Sequence, residues 1–316
     1  MSKAYLNDLV ESFSFRPEIV HSDKLNLKGK ILFAAMGGSA LAGHLFKAWH
    51  PDIHLAVVSD YIDKIPDYAS VIFCSYSGET EEEILGAKVA HEQGSPMLVI
   101  TGGGALLEFA KENEIPHIII PHRPNSAARF AVGAMLHSLS LVLRPADESI
   151  YREAAEISLS GLEGQGQRII EAIDAKVPVI YSSSVNEAIA YYWKIAFNEN
   201  AKMMSTHNIL PEANHNELEA VLDRSRMVKD TFAFILLTDP SDNPHIKTRM
   251  ELVESMYQES GVRVAKVELA ASSRFSYIVK SVLLADWTTC EMAERTGEDP
   301  LATPAITSFK KKLQNV

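Results

Sequence analysis

The sequence predicts an α/β protein made of two tandem three-layer α/β/α domains with mainly parallel sheets. Three observations carry this. The chain has 316 residues, enough for two domains at about 100–200 residues each. Short apolar runs alternate with stretches of helical spacing, the pattern of a parallel sheet covered by helices on both faces. Both halves open in the same order of strand, small-residue loop and helix, as diverged copies would. The expected boundary gives domains of 1–153 and 154–316.

The elements follow in order. The first ~25 residues read as a helical lead-in. Ile31 to Ala35 is an apolar run too short for a helix and bounded by Gly37 and Gly38, so it reads as a buried strand. Ser39 to Trp49 has helical spacing. Ile53–Val58 and Val71–Cys74 are the next strands, and the second runs into Ser75-Tyr76-Ser77-Gly78-Glu79-Thr80. Thr80 to Gln93 is acidic early and basic late, which complements a helix dipole. Leu98–Ile100 and Ile118–Ile120 are strands with a helix from about Ala105 to Asn113 between them. From Ala127 to about Ala172 the chain reads as long helices, broken at Pro145 and near Gly161, Gly164 and Gly166. The α/β pattern restarts with a strand at Val177–Tyr181, the serines 182–184 and a helix through Glu199. Strands at Phe232–Leu237 and Val262–Leu269 flank a helix from His245 to Ser260.

The composition narrows the function. The net charge of −11 argues against a nucleic-acid protein, which needs a basic footprint, and against a polybasic membrane surface. It does not exclude an anionic substrate, because a local site can oppose the global field. Apolar residues make up 47% and charged residues 22%, ordinary for a globular protein. The two cysteines, Cys74 and Cys290, form no disulfide framework or zinc site. No signal-like apolar core or spanning segment is evident, so a cytoplasmic location is expected.

Ser75, Ser77 and Thr80 follow a strand's carboxyl end and lead into a helix, where open α/β sheets bind ligands. Three hydroxyls, a turn glycine and free helix N–H groups suit a phosphate. Gly37-Gly38-Ser39 stands at another strand end. The bland reading is that Ser77 or Thr80 merely caps the helix. Thr101-Gly102-Gly103-Gly104 reads as a tight strand-to-helix turn. The halves differ: the second has Thr238-Asp239-Pro240-Ser241 in place of the serine loop. It also carries a polar insertion containing Asn198-Glu199-Asn200-Ala201-Lys202 and Asn214-His215-Asn216-Glu217. One composite site is expected rather than two equal ones.

These segments, with the tail Asp299-Pro300…Phe309-Lys310, resemble the bifunctional phosphoglucose/phosphomannose isomerases of the sugar isomerase (SIS) superfamily over nearly the whole chain. The resemblance implies two SIS-type domains and interconversion of glucose 6-phosphate, and mannose 6-phosphate, with fructose 6-phosphate. It implies Glu199 as the base moving a proton between C2 and C1. His215 would assist ring opening from the partner subunit of a homodimer. Arg129 would stabilise the enediolate, and Lys310, with Lys311 as rival, would be the active-site lysine. Thr303 would leave room for either C2 epimer. Gly37, Gly38, Ser39, Ser75, Ser77 and Thr80 would bind the phosphate ester. No cofactor or metal is implied; His207, His215 and Glu212 fit no compact metal spacing. Ala128 stands where the family has proline. Taken alone, Glu199 reads as a solvated surface acid, His215 as a loop histidine, and Tyr191-Tyr192-Trp193 as core or interface. A non-catalytic sugar-phosphate sensor and an aminosugar enzyme are the competing readings.

Overall fold

The computed structural model describes residues 4–123, 126–145, 150, 153–154, 161–223 and 225–313. The chain divides into two compact units, Met1–Ile157 and Ser158–Val316.

The first unit opens with α1 (Ala4–Ser12), shorter than the expected lead-in. Pro17 lacks an N–H and restricts the residue before it, and only a 3-10 turn at Ser22–Lys24 follows. The alternation then proceeds through β1 (Lys30–Ala35), α2 (Gly37–Trp49), β2 (Leu55–Val58), β3 (Ala69–Ser75), α3 (Glu81–Glu92), β4 (Met97–Thr101), α4 (Gly104–Glu112), β5 (His117–Ile119) and α5 (Val132–Leu143). The strands form a parallel sheet in the order β2-β1-β3-β4-β5. All seven residues of β3 are buried, as befits a central strand covered on both faces. On one face Val71, Phe73 and Val99 pack with Ala87, Ala90 and Leu106 from α3 and α4. Cys74 lies inside this sheet, where burial raises its thiol pKa well above the ordinary value.

The second unit contains α6 (Leu162–Ile173), β6 (Val177–Ser183), α7 (Glu187–Glu199), β7 (Thr206–Leu210), α8 (Glu217–Asp223), α9 (Ser225–Thr231), β8 (Phe232–Thr238), α10 (Pro244–Glu259), β9 (Arg263–Glu268), α11 (Arg274–Thr296) and α12 (Pro304–Leu313). Its sheet is parallel in the order β7-β6-β8-β9. The first four strands of the first unit have the same order, 2-1-3-4. β7 differs from the expectation, its segment reading in the sequence as part of a polar insertion. An edge strand needs no unbroken apolar run, and Thr206, His207 and Asn208 remain partly open to solvent.

Gly164 and Gly166 do not break α6, which runs through both. A side chain at Gly166 would place its Cβ 2.2 Å from Cε3 of Trp287, so glycine there permits close packing of α6 on α11. The long helix α11 escaped the sequence reading. It is buried on nearly all sides, so it lacks the polar face that marks a surface helix. Its hydroxyls are satisfied within the helix, Thr288 Oγ1 donating to Leu284 O at 2.7 Å and Thr289 Oγ1 to Ala285 O at 2.8 Å. No helix among the described residues is long and apolar enough to cross a membrane.

Candidate active site

Because β1 and β3 are hydrogen-bonded neighbours, with Ala35 opposite Cys74, the loops leaving their carboxyl ends meet. Ser39 Oγ accepts the backbone N–H of Tyr76 at 3.1 Å. Ser75 is buried; its hydroxyl accepts from Gly78 N at 3.1 Å and lies 2.9 Å from Thr80 Oγ1. Ser77 is exposed and accepts from Glu79 N at 3.2 Å. Thr80 is the N-cap of α3 but makes no side-chain capping bond, so the simple cap reading does not describe it. The first turn of α3 holds Glu81, Glu82 and Glu83. Those acids already draw on the helix dipole, which leaves hydroxyls and loop amides as the groups suited to an anion.

The loop is held from behind by the glycine run. Gly102 N donates to Tyr76 O at 3.2 Å, Leu106 N to Gly78 O at 3.0 Å, and Ala105 N to Glu79 Oε1 at 3.0 Å. Gly78 has φ +69°, and a Cβ there would lie 1.7 Å from Gly103 O. Only glycine satisfies both the left-handed turn and that approach. Thr101 to Gly104 is therefore a strand-to-helix turn that also braces the serine loop. Tyr76 is an anchor the sequence did not reveal. It is buried, its ring lies 4.8 Å from that of His122, and its hydroxyl accepts from Arg123 N at 3.0 Å.

Arg129 belongs to the same corner of the unit. It sits in a 3-10 turn, Ala128–Ala131, and is buried with its guanidinium 4.9 Å from the centre of the Phe130 ring. A Cβ at Gly38 would meet Arg129 N at 2.9 Å and Ala128 Cβ at 3.0 Å. The missing side chain at residue 38 thus lets the Arg129 turn lie against the glycine loop. Gly37, Gly38, Ser39, Ser75, Ser77, Thr80 and Arg129 are brought together within one unit.

In the second unit Glu199 ends α7. That helix forms because Ile189, Tyr192, Trp193, Ala196 and Phe197 make one apolar stripe at three- and four-residue spacing. Glu199 is half-buried, and its charge is a secondary cause, after burial, of the raised pKa of Tyr191. Its neighbour Asn200 is fully buried and donates to Asp286 Oδ1 at 2.8 Å and Thr289 Oγ1 at 2.9 Å. Tyr192 OH donates to the other oxygen of Asp286 at 2.6 Å. Trp193 Nε1 donates to Ser281 Oγ at 2.9 Å, so Tyr192 and Trp193 are core and only Tyr191 lies partly open. Lys202 Nζ donates to the carbonyls of Glu199 and Ala302, each at 2.6 Å. The helix end bearing Glu199 is therefore tied to the segment just before Thr303. Thr303 in turn starts α12, its carbonyl accepting from Thr307 N at 3.0 Å.

His215 is exposed at the end of a 3-10 turn, Glu212–His215. Two residues on, Glu217 accepts hydrogen bonds from Tyr181 OH and Asn208 Nδ2, which fastens the histidine loop to β6 and β7. Burial first, then Tyr257 and Glu217, holds the Tyr181 phenol protonated far above its ordinary range. Nearby His207 has its pKa lowered by burial and by Lys194, against the opposing pull of Glu187. Lys310 and Lys311 both fall on α12; their side chains lie outside the described residues. Among the described residues no group of three His, Cys, Asp or Glu is placed to hold a metal ion.

The loop after β8 occupies the place of the serine loop and is filled differently. Asp239 is buried and accepts from Ser241 N at 2.8 Å, Ser241 Oγ at 2.6 Å and Asn186 Nδ2 at 3.0 Å. Burial would raise its pKa, but the hydrogen bonds from Ser241, Asn186 and Tyr277 outweigh this and lower it. Ser241 and Asn186, donors at this crevice, are thus engaged by the chain's own carboxylate.

Two doubly wound sheets, with a hydroxyl loop braced at the switch point of the first, define a protein of the sugar isomerase (SIS) class. Comparisons agree. The family model for the bacterial phospho-glucose isomerase C-terminal SIS domain matches residues 163–313. The structure of a hypothetical protein from Thermus thermophilus superposes with a TM-score of 0.74 at 14% identity, over 98% of this chain and 86% of that one; it bears on the fold alone. The bifunctional phosphoglucose/phosphomannose isomerase of Aquifex aeolicus is 30% identical over 97% of each chain. That of Thermoplasma acidophilum is 33% identical over 90% of this chain and 89% of its own. The chain belongs to the bifunctional phosphoglucose/phosphomannose isomerase family.

Proposed function

We propose that this protein interconverts glucose 6-phosphate and mannose 6-phosphate with fructose 6-phosphate. The observation that carries the reading is identity of about one residue in three to enzymes of that name along almost the entire chain. The serine loop supports it as a handle for the phosphate ester. In the reaction, the Glu199 carboxylate takes the C2 proton of the open-chain aldose phosphate. The enediolate that results receives a proton at C1, while the hydroxyl proton of O2 passes to O1. No net oxidant or reductant is required. The Arg129 guanidinium balances the enediolate charge. His215 opens the ring, since histidine exchanges protons near neutrality, and it comes from the partner subunit of a homodimer. Thr303 leaves space at C2 for both epimers, and Lys310 or Lys311 assists from α12. A cytoplasmic site of action belongs to the same reading.

The test is an assay of the purified protein with each aldose phosphate, following fructose 6-phosphate. Product from both is expected; no product from either by the folded protein would sink the proposal. Turnover of glucosamine 6-phosphate alone would instead favour an aminosugar enzyme. Glu199→Gln should lower turnover by about 10²–10⁴-fold while leaving fructose 6-phosphate binding nearly intact. Retained activity would exclude Glu199 as the base.

A further inference from the structure

We infer that Lys202 is a positioning residue that locks the base-bearing end of α7 to the segment presenting Thr303, and so couples proton transfer to the choice between C2 epimers. The epimer half of this inference rests on the function proposed above; the tether does not.

The backbone supplies the first observation. Lys202 has φ +55°, a left-handed conformation that suits glycine and disfavours a side chain with Cβ. Glycine is the common residue just past a helix end. A lysine in this conformation calls for something its side chain does that glycine cannot. The side chain supplies the second observation. Its ammonium donates to Glu199 O, one of the terminal carbonyls of α7 that lack a partner within the helix. It also donates to Ala302 O, 100 residues away in the chain. Positive charge at a helix C-terminus is favoured by the dipole, so the ammonium is held at this helix end by charge as well as by geometry.

The third observation is what lies at each end of the bridge. Glu199 carries the carboxylate proposed as the base. Ala302 precedes Thr303, whose backbone and side-chain bonds to Thr307 begin α12. Apart from Lys202, the Glu199 end is fixed by buried Asn200 and Asp286, whereas the tail segment is exposed from Pro304 to Phe309. Lys202 thus joins a rigid element to a segment that has little burial of its own.

The experiment compares Lys202→Gly, Lys202→Met and Lys202→Arg in the full chain. Glycine relieves the backbone and removes the tether; methionine keeps the length and removes the donors; arginine keeps donors and charge. Hydrogen exchange should show protection across 303–313 falling by about tenfold or more in the Gly and Met variants, as expected for lost hydrogen bonds to a charged group. Protection of α7 and β6 should change little, and arginine should restore much of the loss. In turnover assays, the ratio of kcat/KM for the glucose and mannose phosphates should shift by about threefold or more in Gly and Met, with kcat reduced. Wild-type tail protection in Lys202→Gly would overturn the tether. Lost protection with an unchanged epimer ratio and kcat would overturn the coupling. If the wild-type protein turned over neither sugar, the functional reading would fall while the exchange data still decided the tether.

Discussion

Replacing Asn200 with alanine should weaken the second unit and blunt catalysis together. The side chain donates twice in a fully buried setting, to the Asp286 carboxylate at 2.8 Å and to Thr289 Oγ1 at 2.9 Å. A hydrogen bond to a charged group is worth about 1.5–3 kcal/mol and one to a neutral hydroxyl about 0.5–1.5 kcal/mol. Truncation also removes one donor from the buried Asp286 carboxylate, which adds to the cost. The expected loss is about 3 kcal/mol, within the range for a broken buried polar network. Urea unfolding followed by tryptophan fluorescence measures it, because Trp193 and Trp287 both lie in the second unit and only Trp49 in the first. A cycle with Asp286→Ala should show coupling of about 1–2 kcal/mol. Turnover should fall while KM moves less, because the end of α7 that aims Glu199 loses its anchor. A stability loss under about 1 kcal/mol, or strict additivity with Asp286→Ala, would show that this network does not anchor the end of α7.

Three other outcomes follow from the geometry. Ser75→Ala removes the acceptor of Gly78 N and the partner of Thr80 Oγ1, and KM for the phosphate ester should rise by about tenfold or more, measured against inorganic phosphate inhibition. His137 is fully buried in α5, and burial pushes its pKa down from 6.5 to about 4. It stays neutral in the folded state while the unfolded chain takes up a proton, so stability of the first unit is lost as pH falls from 6.5 toward 4. The total from this group is about 3 kcal/mol, and His137→Leu should flatten that slope in unfolding curves run across the window. Gly166→Ala gains helix propensity of about 1 kcal/mol but drives a methyl into Trp287; a net destabilisation of about 1–2 kcal/mol is expected from thermal unfolding.

The strands easiest to read were those buried on both faces. β1, β3, β4 and β8 announce themselves as unbroken apolar runs, because in a covered parallel sheet nothing on either face has to be polar. β7 stayed hidden for the opposite reason: at an edge, Thr206, His207 and Asn208 meet solvent, and no periodicity marks them. Gly164 and Gly166 misled because propensity is local, whereas the ring of Trp287 that makes residue 166 small is a tertiary fact. The serine loop was legible from hydroxyls at the end of an apolar run. Tyr76, lying between those serines, gave no sign that it anchors the loop through Ser39 and Arg123. Asn200 and Lys202 stood within a recognisable motif, but their partners Asp286 and Ala302 lie 86 and 100 residues away. A lone acid in the apolar run Leu283 to Trp287 was the available clue to Asp286.

Asp239 gives the duplicated architecture an asymmetry in what its two halves need from their surroundings. The crevice of the second half comes with its anion built in, covalently attached and held by Ser241 and Asn186. In the serine loop it is neutral hydroxyls, of Ser39, Ser75 and Ser77, that accept the amides of Tyr76, Gly78 and Glu79, so an anion bound there would exchange with those bonds and its net binding free energy would add to the stability of the folded state. Of two halves on one plan, one ties its loop to a carboxylate of its own and the other ties its loop with neutral hydroxyls.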